Sequence, residues 1–284
     1  MPTTTAAVRF GRRVGSAGAR AHCLEDGPPG APTVLLIHGL GGLAQEIAAP
    51  LSAGLRQSGL RVLAIDRPGY GHSDPRPAEE MGPAGQAAWL LTVLDTLQVR
   101  PTLILAHSFG AAVALWLACA LGPSAPRLVL VNPFCRPTPP ARAPLLRLSM
   151  APGVGRIVRR RVAPPLSNRL VRWHLCHACA PDPPPVELQV LPPRIVMQES
   201  AIMAMAAELR AFNADEARLP DEQDHLRQPI VALTGASDRV LAGAAHGAWL
   251  AANFACVEHR AAPSGHMLHH TRPELVMAAA LQAR

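Results

Sequence analysis

Ser108 is the residue best placed to do chemistry. It sits in Ala106-His107-Ser108-Phe109-Gly110, between a short apolar run, Thr102–Ala106, and an almost wholly apolar stretch, Phe109–Leu121. A serine on a strained strand-to-helix turn has an exposed hydroxyl and a helix N-terminus behind it. Such a turn is tight, so the residues two positions away on either side must be small, as Ala106 and Gly110 are. A serine hydroxyl is a weak nucleophile and needs a base that is itself oriented by a carboxylate. Two later segments supply both. Asp238 follows the apolar run Ile230–Thr234, and His266 follows Cys256–Ala261 within Pro263-Ser264-Gly265-His266. The chemistry implied is acyl transfer through a covalent serine intermediate.

These residues need a scaffold that brings three loops to one edge. The sequence alternates strand and helix signals. Val8–Arg13 and Ala19–Glu25 read as a hairpin, and Thr33–Ile37 as a buried parallel strand ending at a Gly-rich loop. Ala44–Gln57 reads as a helix, Leu60–Ile65 as a strand, Gln86–Leu97 as a helix and Arg127–Val131 as a further strand. The alternation resumes with the strand Ile230–Thr234, the helix Leu241–Ala252, the strand Cys256–Ala261 and the helix Pro273–Ala283. This predicts an α/β fold with a mostly parallel central sheet flanked by helices. Residues 1–132 and 228–284 form the core of this reading, and 133–227 an inserted helical cap over the carboxyl edge of the sheet, where open α/β sheets bind ligands.

The chain resembles the α/β-hydrolase superfamily, in particular its serine esterase-like members with an inserted cap. The resemblance rests on His38-Gly39-Leu40-Gly41-Gly42, on Asp66-Arg67-Pro68-Gly69-Tyr70-Gly71-His72-Ser73, on the turn at Ser108, on Asp238 and on Gly265-His266. It covers residues of about 30–132 and 228–284. Ala106 departs from the Gly more usual in the family. The resemblance implies a triad of Ser108, Asp238 and His266 and a carboxylesterase-like hydrolase. An oxyanion hole needs backbone donors. One is the N–H of Phe109, after the nucleophile; the resemblance supplies the other at Leu40. A serine nucleophile argues against the dehalogenases and epoxide hydrolases of the fold, which use an aspartate there. Thioester, carrier-protein ester and carbon–carbon bond hydrolysis, and cofactor-free haloperoxidase chemistry, are alternatives on the same triad; a non-catalytic binding role is the alternative of another class. No metal or organic cofactor is required.

Rival residues have simpler readings. His107 reads as structural or pocket-lining. His38 reads as a hydrogen-bonder under the oxyanion loop, and both are candidate pocket residues. His269 and His270 lack the Gly-His loop position. Asp95 sits mid-helix, and Asp66 stands in a structural turn. His174-Leu175-Cys176-His177-Ala178-Cys179 has metal-like spacing but no second flanking pair, so it reads as a cap helix with its Cys inward. The Gly39–Gly42 loop lacks a following Lys-Ser/Thr and is no phosphate loop.

Charge narrows the partners. All 27 basic residues are Arg, and the formal net charge is +7. Nine Arg and no acid fall between Phe134 and Ala180, leaving 18 Arg against 20 acids elsewhere. A local excess with few aromatics argues against nucleic acid. The expected partner is a small acyl substrate. The Arg-rich cap reads as a solvated face, or as a docking surface for an acyl carrier protein, a CoA thioester or an anionic lipid surface. Its 14 prolines between Pro133 and Pro193 suggest irregular connections rather than one long helix. Six scattered Cys, no secretory signal and no apolar run long enough for a bilayer suggest a reduced cytoplasmic protein.

Overall fold

Thr33–Ile37 (β3) buries all five of its residues, which only a strand covered on both faces can do. Side chains alternate across a strand, so Leu35 and Ile37 enter one core while Val34 and Leu36 enter the other. The first core packs beneath the helices Pro83–Leu97 and Phe109–Leu121. The second packs beneath Ala44–Ala48, Ser52–Gln57 and Pro273–Leu281. The computed structural model describes residues 11–139, 144–189 and 191–282.

The sheet has eight strands in the order β1-β2-β4-β3-β5-β6-β7-β8. Arg12–Val14 (β1) and Ala21–Asp26 (β2) form the antiparallel edge. Arg61–Ile65 (β4), Pro101–His107 (β5), Arg127–Val131 (β6), Ile230–Gly235 (β7) and Val257–Ala262 (β8) run parallel with β3. Parallel strands present their carboxyl ends on one edge, and that edge carries the loops after β3, β5, β6, β7 and β8.

Three expectations need correction. The helix expected over Ala44–Gln57 is two helices, Ala44–Ala48 and Ser52–Gln57. Pro50 falls between them, and a proline has no N–H to continue a helical ladder. The Pro-rich insertion carries a long helical run after all. Gly155–Ile157, a π-helical Val158–Val162 and Ala163–Cys179 follow one another without a break. Pro164 and Pro165 stand where the π-helical turn passes into the last segment, so the change of helical period coincides with the residues that cannot donate an N–H. Its cysteines divide: Cys179 is buried and Cys176 exposed. Residues 8–10 of the first expected strand and Ala283 of the last helix lie outside the described residues.

The regular elements described between β6 and β7 are all helices, and the main later one is Glu199–Glu216. The insertion touches the loops of the edge directly. Ala178 O accepts from Met267 N at 3.2 Å, and Gln198 Nε2 donates to Gly71 O at 2.8 Å.

Gly235 shows how closely the last two loops approach. A Cβ there would lie 2.3 Å from Gly265 O and 2.5 Å from Ser264 O. Gly235→Ala is expected to destabilise the fold by about 1–3 kcal/mol, the usual range for overpacking; thermal unfolding measures it, and an unchanged melting temperature would contradict the packing.

Candidate active site

Ser108 links β5 to the helix Phe109–Leu121 with φ +52° and ψ −122°. That is the left-handed region a non-glycine residue rarely occupies, at a cost of about 1–3 kcal/mol. Hydrogen bonds on either side hold the turn. Ser108 N donates to Val131 O at 3.0 Å, and Ser108 O accepts from Ala111 N at 2.9 Å and Phe134 N at 3.1 Å. Gly110 is dictated by space, since a Cβ there would sit 2.5 Å from His38 O and 2.6 Å from Ile37 O.

Ser108, His266 and Asp238 form one hydrogen-bonded chain. Ser108 Oγ lies 3.1 Å from His266 Nε2, and His266 Nδ1 lies 2.8 Å from Asp238 Oδ2. The other Asp238 oxygen accepts from Val240 N at 2.8 Å and Leu241 N at 2.9 Å. A carboxylate accepts, so the Nδ1 proton of His266 points at Asp238 and its Nε2 lone pair faces the serine. Both side chains are nearly solvent-free, at 5% for His266 and 1% for Asp238. The chain can move a proton from Ser108 Oγ to His266 while water is excluded.

The loop from His38 to Gly42 lies against this chain. A Cβ on Gly39 would come within 3.0 Å of Ser108 Cβ. The fully buried Arg67 fixes the loop's polarity. Its Nε donates to His38 O at 2.9 Å and its Nη2 to Gly39 O at 2.9 Å. Gly39 O also accepts from Gly42 N at 3.1 Å. In a trans peptide the C=O and N–H point opposite ways. With the Gly39 carbonyl turned to Arg67, the Leu40 N–H turns away from it. The Ser108 carbonyl likewise faces Ala111 and Phe134, which turns the Phe109 N–H the other way. Neither amide has a hydrogen-bond partner among the described residues.

Arg67 also reaches the insertion. Its Nη1 bonds Gln86 Oε1 at 2.9 Å and pairs with Glu208 of the helix Glu199–Glu216. Glu208 accepts from Tyr70 OH at 2.5 Å and Gln86 Nε2 at 2.8 Å. Burial pushes its carboxyl upward, and Arg67, Tyr70 and Gln86 oppose that shift. The pattern of the sequence pointed at Arg67 only as part of a turn, and Glu208 carried no signal at all.

The sequence profile described as alpha/beta hydrolase fold matches residues 32–273. The chain belongs to this family. The α/β-hydrolase-fold chain is 39% identical to 2-hydroxymuconate semialdehyde hydrolase of Pseudomonas putida over 128 residues, 43% of each protein. It is 27% identical to a haloalkane dehalogenase of Mycolicibacterium paratuberculosis over 234 residues, 78% of this chain and 73% of that one. Three other curated relatives, among them a haloalkane dehalogenase of Mycobacterium marinum, are matched over 42%, 50% and 37% of their own lengths, so the chain spans half of them or less. The enol-lactonase of Burkholderia xenovorans LB400 shares the fold with a TM-score of 0.77 at 22% identity, over 95% of this chain and 98% of that one.

In this hydrolase-fold chain the two histidines expected to line a pocket, His38 and His107, are scaffold. His38 was a candidate pocket residue, but it is fully buried beneath the loop. Its Nδ1 donates to Gly39 O at 2.8 Å, and its Nε2 accepts from Arg67 N at 2.9 Å. It presents nothing to a ligand. His107 is buried too, and its Nε2 donates to His266 O at 3.1 Å. It therefore steadies the loop that carries His266. Asn132, which the sequence reading missed, does the same. It stands after β6 with φ +44°, and its Nδ2 donates to His266 O at 2.8 Å and to Gly265 O at 3.1 Å. Its Oδ1 accepts from Gly235 N at 2.7 Å, so one amide ties three strand ends together. An Asn just past a buried strand, where a positive φ is tolerated, was the available signal.

Glu46, His269 and His270 place three potential metal-ligand atoms within 4.8 Å of one another. The same atoms already bond among themselves: Glu46 Oε1 accepts from His269 Nε2 at 2.7 Å and from His270 Nε2 at 2.9 Å. The residues of the 174–179 motif form no such group among those described. His177 Nε2 instead bonds Arg239 O at 3.1 Å. Asp66 is the turn residue expected, accepting from Ala44 N at 2.7 Å and His72 N at 3.0 Å. Asp95 is exposed and paired with Arg100 at 2.8 Å.

Burial pushes His38, His246 and His269 down to about 4 from 6.5, and His107 well below 6.5. An unfolded histidine titrates near 6.5, so below that pH the unfolded chain binds protons that the folded chain refuses. The contribution of these histidines to folding stability is then full above pH ~6.5 and is lost as pH falls toward ~4. The melting temperature is expected to drop between pH ~7.5 and ~5, by an amount equivalent to roughly 1 kcal/mol or more per pH unit. A flat profile over that window, in scanning calorimetry, would mean these imidazoles are not buried in the neutral form.

Proposed function

We propose that the chain is a serine hydrolase that cleaves a carboxylic ester through an acyl-enzyme intermediate. The observation that carries this reading is the Ser108–His266–Asp238 hydrogen-bond chain, with distances of 3.1 and 2.8 Å. Ser108 Oγ attacks the ester carbonyl while His266 Nε2 takes its proton. The carbonyl oxygen becomes an oxyanion between the N–H groups of Leu40 and Phe109. His266 then gives the proton to the departing alkoxide, which leaves as an alcohol. Water, deprotonated by His266, attacks the acyl-enzyme and frees the acid and Ser108. Asp238 keeps the imidazole in the required tautomer and stabilises the imidazolium. The insertion, in this reading, acts as a cap that sets acyl specificity.

The relatives span halide, epoxide and carbon–carbon chemistry by name. The nucleophile separates these. A serine that displaced a halide or opened an epoxide would be left as an alkyl ether, which has no carbonyl for water to attack. Ser108 therefore favours substrates that present a carbonyl. Carbon–carbon hydrolysis meets that condition and is the second reading, supported by the 39% identity to 2-hydroxymuconate semialdehyde hydrolase.

Two measurements separate the possibilities. A fluorophosphonate probe is expected to label the wild type and leave Ser108→Ala unlabelled. On p-nitrophenyl acyl esters graded by chain length, Ser108→Ala should lose at least about 10³-fold in kcat. A folded wild type that neither reacts with the probe nor turns over any ester would sink the ester reading. Turnover of a 2-hydroxy-6-oxo dienoate in preference to every ester would replace it with the second one.

A further inference from the structure

The helical insertion holds nine of the ten exposed large apolar side chains among the described residues. Ile157, Val162, Leu166 and Trp173 belong to the run Gly155–Cys179, and Trp173 is 66% exposed. The other face of that run is committed to the fold. Ala163, Ser167, Val171 and Ala178 are buried there, four to seven residues apart. The exposed residues thus share the outward side by helical period.

The charges on this face are as unusual as its apolar groups. Arg156, Arg161, Arg169 and Arg172 are exposed, and none makes an ion pair or side-chain hydrogen bond among the described residues. Arg159 and Arg160 alone in this run share an acid, Glu199 of the neighbouring helix. Several arginines of the core are paired instead, as with Arg12 and Arg61 on Glu25, or Arg260 on Glu258. No acid occurs between Phe134 and Ala180.

We infer that this face docks on an anionic lipid surface. Outward apolar side chains enter the boundary between headgroups and acyl chains, and unpaired guanidinium groups meet phosphates above it. Trp173 has the ring type that settles at that boundary. A second copy of the chain is a poorer occupant, because a two-fold contact would set the same unpaired Arg against one another. No described helix is long and apolar enough to cross a membrane, so the contact is peripheral. From Arg161 to Trp173 the face is about 18 Å long at the helical rise. On the opposite, buried side of the same helix the carbonyl of Ala178 accepts from Met267 N, beside His266. The docked helix is therefore the one whose inner side braces the loop that carries His266. The inference stands independently of the ester-hydrolase reading.

Flotation of the full chain with vesicles tests it. Phosphatidylcholine mixed with phosphatidylglycerol in equal parts is expected to carry the protein upward, and phosphatidylcholine alone is not. Each Arg→Gln change at Arg161, Arg169 or Arg172 should weaken partitioning about fivefold, and added salt should weaken it further. Trp173→Ser should weaken it as well, with unchanged melting temperature in every variant. Ser108→Ala should float like the wild type, so loss of hydrolysis and loss of docking are read separately. Failure to bind either vesicle, or equal binding to both, would overturn the inference. So would a concentration-dependent dimer in sedimentation velocity that Trp173→Ser dissolves, since a second copy would then cover the face.

Discussion

The backbone at Ser108 is the constraint on which the rest of the site depends. A non-glycine residue held at φ +52° stays there only if its surroundings leave no alternative. The strand before it is buried on both faces, and the helix after it is apolar almost throughout. That strand-to-helix turn is thereby clamped between elements buried in two cores. The close approach of the His38–Gly42 loop then follows, because Gly39 and Gly110 leave room that any side chain would fill.

Around that turn, polarity is organised by a few buried groups. Arg67 collects the carbonyls of His38 and Gly39, so the opposite ends of those peptides face the serine. Asn132 and His107 both hold the carbonyl of His266 and leave its ring free to bridge Ser108 and Asp238. Glu46 gathers His269 and His270 behind the same loop, and burial is opposed by the two histidines, which keep its carboxyl well below the usual range. Each of these groups would be costly alone in a solvent-free interior; together they supply most of one another's hydrogen bonds, with His269 Nδ1 left without a partner.

The parts of this arrangement that lie on strands or beside them were legible in the sequence. Thr33–Ile37, Phe109–Leu121 and Arg127–Val131 have the bounds that their apolar runs predict, and Ser108, Asp238 and His266 converge because parallel strands deliver their loops to one edge. What could not be read are contacts between residues far apart in sequence. Glu208 lies 141 positions from Arg67, and nothing in its surroundings marks it as buried. The insertion was misread for a related reason. Prolines signal breaks by local rules, yet Pro164 and Pro165 sit where a π-helical turn that local propensity does not foresee passes into the next helical segment.

The Arg67–Glu208 pair also sets which part of the insertion is bound most firmly to the core. The helix Glu199–Glu216 is tied by that pair, and by Asp215 and Gln198, to segments of the core. Swinging it outward would strand a guanidinium and a carboxylate in a dry interior, at about 3–5 kcal/mol for a broken buried pair. The stretch from Pro144 to Val196 crosses to the core through fewer bonds of this kind, at Ala178, His177 and Asp182. One half of the insertion is thus anchored to the core through a buried ion pair, and the half that carries the arginines is held through no such pair among the described residues.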